Sequence, residues 1–265
     1  MKRWQFWLGL LVSAAFLWLA LRGLRLADIG RVVAEADYLW LLPGVAVYFL
    51  AVWARAWRWH YLLRPLKAIP TGTMFPIVCI GYMGNNIYPA RAGELLRAYV
   101  LRRRQGVPIS ASLATILVER VFDGVVMLGF VFLNLGELSG LTSYSGFIGS
   151  IQQVAVWGAV IFLAATAAFL VMAARPAASA RLLGWFIDRL IPARYRAGLH
   201  GFIDRFLGGL ASLRSPADVA MVLVTSTVIW LLETGKYWFV MHAFPFQVSF
   251  FALMLMNGIV NLTTT

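Results

Sequence analysis

The sequence predicts an all-α fold, a polytopic transmembrane helical bundle. Of its 265 residues, 61% are hydrophobic and only 13% are charged, and the mean hydropathy is +0.78, outside the range of soluble domains. The apolar residues stand in unbroken blocks close to the roughly 20 residues that span hydrocarbon. Many of the eleven tryptophans lie near block ends, where an amphipathic ring suits the headgroup region of a bilayer.

Successive apolar blocks run along the whole chain. They cover residues 4–21, 38–57, 73–89, 109–135, 151–174 and 219–244, and a last block starts near Phe246. The first block follows Lys2 and Arg3 without a convincing small-residue cleavage site, so we expect an uncleaved helix rather than a signal peptide. The third block contains Pro76, Gly81 and the pair Asn85-Asn86, which predicts an interrupted span.

The distribution of Lys and Arg predicts the orientation, because positive charge in short loops stays cytoplasmic. Four, five and seven basic residues occur in segments 55–67, 91–104 and 175–214, and none occurs in 136–150 or 242–248. This alternation places the N-terminus in the cytoplasm and gives both flanks of the third block the same compartment. It therefore predicts that Thr73 to Pro89 forms a re-entrant hairpin. Irregular backbone at membrane depth must be buried in protein or must line a water-filled cavity, so such a hairpin indicates a binding site.

A second cytoplasmic feature lies between about Arg181 and Leu213. Apolar residues alternate there with charged residues, which predicts cytoplasmic amphipathic helices. Two placements fit equally well: on the inner leaflet, or packed on the bundle as a solvated hairpin. The net charge of +12 favours anionic membrane phospholipid as the partner, and no nucleic-acid-binding signature accompanies the basic segments.

The densest polar constellation is the run from Gly81 to Arg97. The candidate lipid headgroup-binding residues in it are Asn85, Asn86, Arg91, Glu94 and Arg97. Asparagine amides supply both donors and acceptors, arginine presents a planar donor fork that suits phosphate, and a helix beginning after Pro89 adds its N-terminal amides. The alternative is a helix-capping turn with an Arg–Glu pair. The position at a hairpin tip favours the headgroup.

Ionisable residues also interrupt two later blocks. They are Glu119, Arg120 and Asp123 in the fourth block and Glu233 with Lys236 in the sixth. Such groups cost a few kcal/mol each at membrane depth, so we expect them to face the protein interior and to pair. They predict an intramembrane polar pathway, and a purely structural ion cluster explains the same pattern equally well.

Catalytic and metal-binding motifs are absent from the sequence. His60, His200 and His242 lack metal-ligand spacing, and no hydrolase elbow, Walker loop or dinucleotide fingerprint occurs. The lone Cys79 excludes a disulfide within one chain. We therefore expect no catalytic residue, no metal, no cofactor and a protein that is not an enzyme.

The run from Gly84 to Arg104, followed by Ser112 to Asp123, resembles the flippase-like family named for the transmembrane domain of lysylphosphatidylglycerol synthase. The matching positions are Asn85, Asn86, Pro89, Arg91, Gly93, Glu94, Arg97, Glu119, Arg120 and Asp123. The resemblance covers most of the chain and implies a module that translocates aminoacylated, other anionic or polyprenyl-linked lipids. Lysyl transfer belongs to a separate soluble domain in that family. Its members usually continue past the position of Thr265, so residues 1–265 are expected to form a single domain that is incomplete at its C-terminus.

The leading hypothesis is a non-enzymatic lipid flippase of the bacterial cytoplasmic (inner) membrane. It would carry an anionic or aminoacylated phospholipid, or a polyprenyl-linked lipid. The alternatives are a membrane anchor for a soluble lipid-modifying enzyme and a membrane enzyme that uses Glu119 or Asp123 as acid or base. Gly258 and Asn261 near the chain end echo Gly81 and Asn85, which predicts a second re-entrant element in an inverted repeat.

Overall fold

The computed structural model describes residues 3–22, 26–88, 92–134 and 145–264, which are helical with no strand among them. The α-helices are α1 (Arg3–Leu21), α2 (Leu26–Ala34), α3 (Leu41–Leu63), α4 (Thr71–Ile87), α5 (Gly93–Gln105), α6 (Ile109–Leu133), α7 (Ser145–Ala174), α8 (Pro176–Leu190), α9 (Ala193–Gly209), α10 (Pro216–His242) and α11 (Phe250–Thr264). Segments Tyr38–Leu63, Val156–Ala174 and Pro216–His242 are long and apolar enough to cross a membrane. The predicted helical membrane bundle is therefore confirmed.

Helices α3 and α10 form the central antiparallel pair. At one end, a Cβ added to Gly44 would lie 3.5 Å from Val240 Cγ2, so the small residue lets the helices approach. At the other end, Arg64 Nη2 lies 3.2 Å from Asp218 Oδ1. The two helices therefore stay in contact along nearly their full length, and both present side chains to α6.

The end of α3 corrects the predicted boundary of the second span. Because α3 continues to Leu63, Arg55 and Arg58 lie inside the helix rather than in a cytoplasmic basic segment. They are only 7% and 1% exposed, and Trp59 is fully buried instead of lying among headgroups. The spacing of Arg55, Arg58 and Trp59 puts the three side chains on one face of α3. On this face the two arginines contact carboxylates of α10 and α6.

Helices α4 and α5 form a hairpin. The expected interruption of the third block is wrong, because α4 is one helix that contains Pro76 and ends only at Ile87. Lys67 Nζ, just before α4, donates to the carbonyl oxygen of Gln105 at the end of α5 over 2.7 Å. The chain therefore enters and leaves the hairpin at the same end of the bundle. The segment Thr73 to Ile87 thus supplies only one arm of a hairpin whose other arm is α5. A re-entrant placement of this pair in a membrane stays a prediction.

Glycines set the close approach of α4 to α5. A Cβ on Gly93 would lie 2.0 Å from the carbonyl oxygen of Gly81 and 2.5 Å from the amide nitrogen of Asn85. A Cβ on Gly84 would lie 2.8 Å from the Cα of Gly93. Only residues without a Cβ allow this backbone-to-backbone crossing. The crossing fixes the first turns of α5 against α4 and directs Arg97 toward α6.

Helices α8 and α9 are the predicted amphipathic pair. Helix α9 packs on α6 near Gly209, where an added Cβ would lie 2.5 Å from the carbonyl oxygen of Ala111. Leu207 is buried beside it, whereas Trp185 and Leu190 on α8 are 59% and 70% exposed. Helix α9 therefore packs on the bundle while α8 presents apolar side chains outward. The cytoplasmic location of both helices stays a prediction.

Helix α11 runs unbroken through Gly258 and Asn261, so the second re-entrant element predicted there is wrong within residues 250–264. Asn261 Nδ2 donates to the carbonyl oxygen of Asn257 over 2.9 Å, which ties adjacent turns together instead of breaking them. Gly258 allows close packing on α6, and Asn257 Nδ2 donates to Thr234 Oγ1 of α10 over 3.1 Å. The helix thus extends the bundle on the α6–α10 side.

Candidate functional site

Nine ionisable side chains from four helices are joined inside the bundle, and we call them the buried ion network. Its members are Arg55 and Arg58 of α3, Glu94 and Arg97 of α5, Glu119, Arg120 and Asp123 of α6, and Glu233 and Lys236 of α10. Five of these groups are cationic and four are carboxylates. The network therefore carries one positive charge in excess.

Arg58 lies at the centre of the network. Its Nη1 and Nη2 lie 2.5 and 3.3 Å from the two carboxylate oxygens of Asp123, and Nη1 also donates to Ser226 Oγ over 2.7 Å. Trp230 Nε1 donates to Asp123 Oδ1 over 3.0 Å. The planar fork of arginine suits this two-point contact with a carboxylate. One guanidinium thus joins α3, α6 and α10.

Arg97 makes the buried link between α5 and α6. Its Nη2 donates to Glu119 Oε2 over 2.6 Å, and its guanidinium lies 4.2 Å from the ring centroid of Trp59. Trp59 Nε1 in turn donates to Thr115 Oγ1 over 2.9 Å. The aromatic face adds a favourable cation–π contact in a dry setting. Trp59 therefore positions Arg97 opposite Glu119.

A second and more open link joins the same two helices. Arg120 Nε lies 2.9 Å from Glu94 Oε1, and the two side chains are 29% and 23% exposed. Arg120 Nη1 lies 3.7 Å from Asp123 Oδ2. Glu119 and Asp123 are 1% and 4% exposed, so they face the interior as expected, and their ion-pair partners on other helices lie on α3 and α5 rather than in the segment Thr73 to Pro89. Arg120 lies at the edge of the network.

The predicted Glu233–Lys236 pair exists, and α3 adds a partner to it. Lys236 Nζ donates to Glu233 Oε2, while Arg55 Nη1 donates to Glu233 Oε1 over 2.7 Å. The Arg55 guanidinium lies 5.4 Å from the ring of Tyr82 and 5.6 Å from that of Trp230. Because Trp230 also contacts Asp123, this end of the network is joined to the centre.

A small cavity lies between α4, α5 and α6, and we call it the hairpin cavity. Its volume is ≈ 10 Å³, room for about one water. The residues that line it are Val78, Gly81, Tyr82, Asn85, Gly93, Glu94, Arg97 and Arg120.

Polar atoms without hydrogen-bond partners gather around the hairpin cavity and beside it. They are Arg58 Nε, Asn85 Oδ1, Glu94 Oε1, Arg97 Nε, Glu119 Oε1 and Arg120 Nε. Arg120 Nε and Glu94 Oε1 are in ion-pair contact at 2.9 Å but do not form a hydrogen bond with each other. All six atoms are fully shielded from solvent, and among such shielded atoms elsewhere in the described ranges only Ser212 Oγ lacks a hydrogen bond. Buried polar groups are normally paired, so such a concentration indicates a site suited to a polar or charged guest.

The structure brings together only some of the residues expected to bind a headgroup. Asn85, Glu94 and Arg97 share the hairpin cavity, whereas Asn86 is exposed and absent from its lining. Arg91 lies outside the described residues. Sequence reasoning missed Arg55 and Arg58, and it also missed the buried roles of Trp59 and Trp230. The signal in the sequence was the helical spacing of residues 55, 58 and 59. It indicates that the helix of the second block continues beyond Trp57, as α3 does to Leu63.

The fold and the site define a class, the multi-pass helical membrane proteins with an ion network buried among their spans. The chain belongs to the family described as the lysylphosphatidylglycerol synthase TM region, whose family model matches residues 6–264. The resemblance predicted from the 84–104 and 112–123 runs is therefore confirmed.

Several curated proteins are similar to this chain. Glycosyltransferase AglD of Haloferax volcanii is 27% identical over 94% of this chain and 44% of its own length. Two UPF0104 membrane proteins, from Methanothermobacter thermautotrophicus and Methanocaldococcus jannaschii, are 24% and 20% identical over 99% and 96% of this chain, and over 77% and 78% of their own lengths. The chain thus spans less than half of AglD. No solved structure matches it.

The AglD similarity corrects the expectation that the protein is not an enzyme. That relative is named for glycosyl transfer, and its similarity extends over 94% of this chain. The missing catalytic motifs in the sequence therefore do not exclude an enzymatic role, since a protein similar to nearly the whole chain carries such a name.

Proposed function

We propose that this chain binds the anionic headgroup of a membrane lipid at the hairpin cavity and moves it along the buried ion network between leaflets. The observation that carries the proposal is the gathering of buried polar atoms without hydrogen bonds in and beside one cavity, within a network that has one cation in excess. A phosphate would supply acceptors to the Nε–H groups of Arg58, Arg97 and Arg120 together with the missing negative charge.

Entry of a headgroup would proceed by an exchange of partners. Arg97 and Arg120 are now paired with Glu119 and Glu94, and a lipid phosphate would replace these carboxylates. Each guanidinium would stay paired throughout. The displaced Glu119 would keep Arg58, whose Nε lies 3.8 Å from Glu119 Oε1, and Glu94 is partly exposed to solvent, so no buried charge would be isolated. A cavity of ≈ 10 Å³ is too small for a headgroup. The α4–α5 hairpin would therefore have to move away from α6, and the glycine crossing favours movement of the hairpin as a unit.

The cations beyond the cavity form a ladder. Arg58 contacts Ser226, Arg55 contacts Glu233, and Lys236 lies one turn further along α10. Ser226 and Lys236 are about 15 Å apart at 1.5 Å per helical residue, which is about half of a hydrocarbon core. Because carboxylates alternate with the cations, the ladder is close to neutral and offers successive sites for an anion.

The orientation proposed for this pathway follows the basic residues. Arg64, Lys67 and Arg102 belong to the end of the bundle where the hairpin begins and ends. We place this end in the cytoplasm, which makes α4–α5 a re-entrant hairpin and leaves the N-terminus cytoplasmic. The exposed apolar side chains of α8, including Trp185 and Leu190, would then lie on anionic phospholipid of the inner leaflet.

A reconstitution experiment tests the proposal. Purified protein in phosphatidylcholine vesicles containing fluorescent phosphatidylglycerol should make the inner-leaflet label accessible to dithionite, and vesicles without protein should not. Arg97→Gln should lower this rate toward the protein-free value. Arg103→Gln on the exposed face of the same helix should keep the wild-type rate. Equal rates with and without protein would contradict the proposal, as would equal rates for phosphatidylglycerol and phosphatidylcholine labels.

A second candidate function is a part in glycosyl transfer to a lipid, and the similarity to AglD over 94% of this chain favours it. The chain would then hold a polyprenyl-linked or other lipid acceptor in the same network, alone or with a soluble lipid-modifying enzyme as partner. Incubation with nucleotide sugars and polyprenyl phosphate, followed by mass spectrometry of the lipids, tests this. A protein-dependent glycolipid without dithionite-accessible transport would favour transfer over translocation.

A further inference from the structure

A surface crevice of ≈ 590 Å³ lies outside the buried ion network. It opens where α5 ends and α6 begins, against α9, and we call it the α5–α6–α9 crevice. Its lining includes Arg102, Pro108, Ile109, Ser110, Phe202 and Arg205. This volume falls within the range of small-molecule sites, about 300–1,000 Å³, and is far larger than the hairpin cavity.

The crevice combines two arginines from different helices. Arg102 on α5 and Arg205 on α9 are both exposed, and neither forms an ion pair with a residue in the ranges that the structure covers. This distinguishes them from Arg97 and Arg120, whose charges are already matched by carboxylates. Two unmatched guanidinium groups on one crevice attract an anion, and their donor forks suit phosphate oxygens.

A buried hydroxyl is the second and independent sign of a ligand. Ser110 is only 5% exposed, lines the crevice and forms no side-chain hydrogen bond within the described part of the chain. Buried hydroxyls are usually paired. Ser110 also stands in the first turn of the 25-residue helix α6, whose cap residue Pro108 supplies no side-chain bond. The first backbone N–H groups of a helix favour an anion.

The turn between α5 and α6 sets this arrangement. Gly106 adopts a left-handed conformation with φ 75° and donates its N–H to the carbonyl oxygen of Arg102. That turn ends α5 and lets α6 begin three residues later, so Arg102 and Ser110 reach the same crevice. Phe202 on α9 supplies an apolar wall.

We propose that the α5–α6–α9 crevice binds a phosphate-bearing organic ligand, with its phosphate held by Arg102, Arg205 and Ser110 and its organic part against Phe202. The phosphate belongs either to a phospholipid headgroup of the adjacent leaflet or to a soluble nucleotide. Ser110 and Glu119 are about 13 Å apart along α6 at 1.5 Å per residue. The crevice is therefore a separate site from the network, and binding there requires no transport.

Two matched double variants test the site. Arg102→Gln with Arg205→Gln removes both crevice charges, whereas Arg103→Gln with Arg104→Gln removes two exposed charges from the same end of α5 that do not line the crevice. The probes are a photoactivatable phosphatidylglycerol in phosphatidylcholine nanodiscs and radiolabelled uridine diphosphate. Mass spectrometry of the cross-linked peptides locates the lipid. The crevice variant should bind one probe at least about tenfold more weakly, since each lost charged hydrogen bond accounts for about tenfold, and the control should change less than about twofold.

Further variants separate this site from the network and from general charge effects. Ser110→Val fills the crevice without changing charge and should also weaken binding, while Arg97→Gln should leave crevice binding unchanged even if it abolishes lipid transport. Loss for the lipid probe alone identifies a headgroup, and loss for the nucleotide alone identifies a soluble ligand. Equal losses in the two double variants, cross-links confined to other peptides, or no binding of either probe would overturn the proposal.

Discussion

Replacement of Arg58 by Leu tests the energetic role of the buried ion network. Arg58 is 1% exposed and makes both short contacts to the Asp123 carboxylate and a third to Ser226. Arg58→Leu would leave Asp123 buried with the Trp230 N–H at 3.0 Å and with Arg120 no closer than 3.7 Å. In this variant the Asp123 carboxylate therefore stays buried without its main countercharge.

The expected loss follows from burial. Removing one partner of a buried ion pair costs about 3–5 kcal/mol of unfolding free energy. The control is Arg64→Leu at the C-cap of the same helix, because Arg64 pairs with Asp218 at 3.2 Å while its side chain is 54% exposed. An exposed pair of this kind contributes about 0–1 kcal/mol. The two Arg→Leu changes are six residues apart in the sequence, and their losses of unfolding free energy should thus differ by at least about 2 kcal/mol.

The assay is equilibrium unfolding in mixed detergent micelles, followed by tryptophan fluorescence. A double variant, Arg58→Leu with Asp123→Leu, should recover most of the lost free energy, because apolar replacement of a whole buried pair is often neutral. An Arg58→Leu variant within about 1 kcal/mol of the wild type would refute the reasoning. Failure of the double variant to recover would also refute it, since packing rather than stranded charge would then explain the loss.

Three further predictions concern the hairpin and its surroundings. Gly93→Ala should lower the unfolding free energy by about 1–3 kcal/mol or more, because its Cβ would lie 2.0 Å from a backbone oxygen. The control in the same unfolding assay is Gly129→Ala in α6, where nothing lies within 4 Å of the added Cβ. This variant should be neutral or stabilised by about 0.5–1 kcal/mol. Trp59→Phe should cost about 1 kcal/mol through the lost bond to Thr115, and Thr115→Val should remove the additional effect of Trp59→Phe in a double-mutant cycle. Lys67→Cys and Arg102→Cys are each made in a chain whose one native cysteine is replaced. Both should react with an impermeant maleimide from the same side of the membrane. Labelling from opposite sides would show that the hairpin segment crosses the membrane.

Local sequence patterns were sufficient to predict the helices and part of the site. Blocks of spanning length predicted α3, α6 and α10, and the cost of charge at membrane depth predicted that Glu119 and Asp123 would be buried. The pair at Glu233 and Lys236 followed from helical spacing alone. These predictions succeeded because each depends on one contiguous stretch of the chain.

The partners of the long-range contacts could not be predicted in this way. Arg58 meets Asp123 across 65 residues and Arg55 meets Glu233 across 178 residues. A basic residue at the end of an apolar block looks the same in sequence whether it enters the cytoplasm or pairs with a buried carboxylate. The third block failed for a different reason, because glycines remain helical where a neighbouring helix packs closely on them, as α5 does on Gly81 and Gly84 of α4.

The most direct test of the account is lipid transport by a variant that keeps the fold but lacks Arg97 and Glu119, the buried ion pair that a headgroup would open. Arg97→Leu with Glu119→Leu removes the buried link between α5 and α6, which is closed by a 2.6 Å contact, and leaves no stranded charge. Unfolding should therefore stay within about 1 kcal/mol of the wild type. If the network handles the headgroup, dithionite-accessible transport of phosphatidylglycerol should fall to the protein-free rate. Wild-type transport by this stable double variant would contradict the account and leave the network a purely structural role.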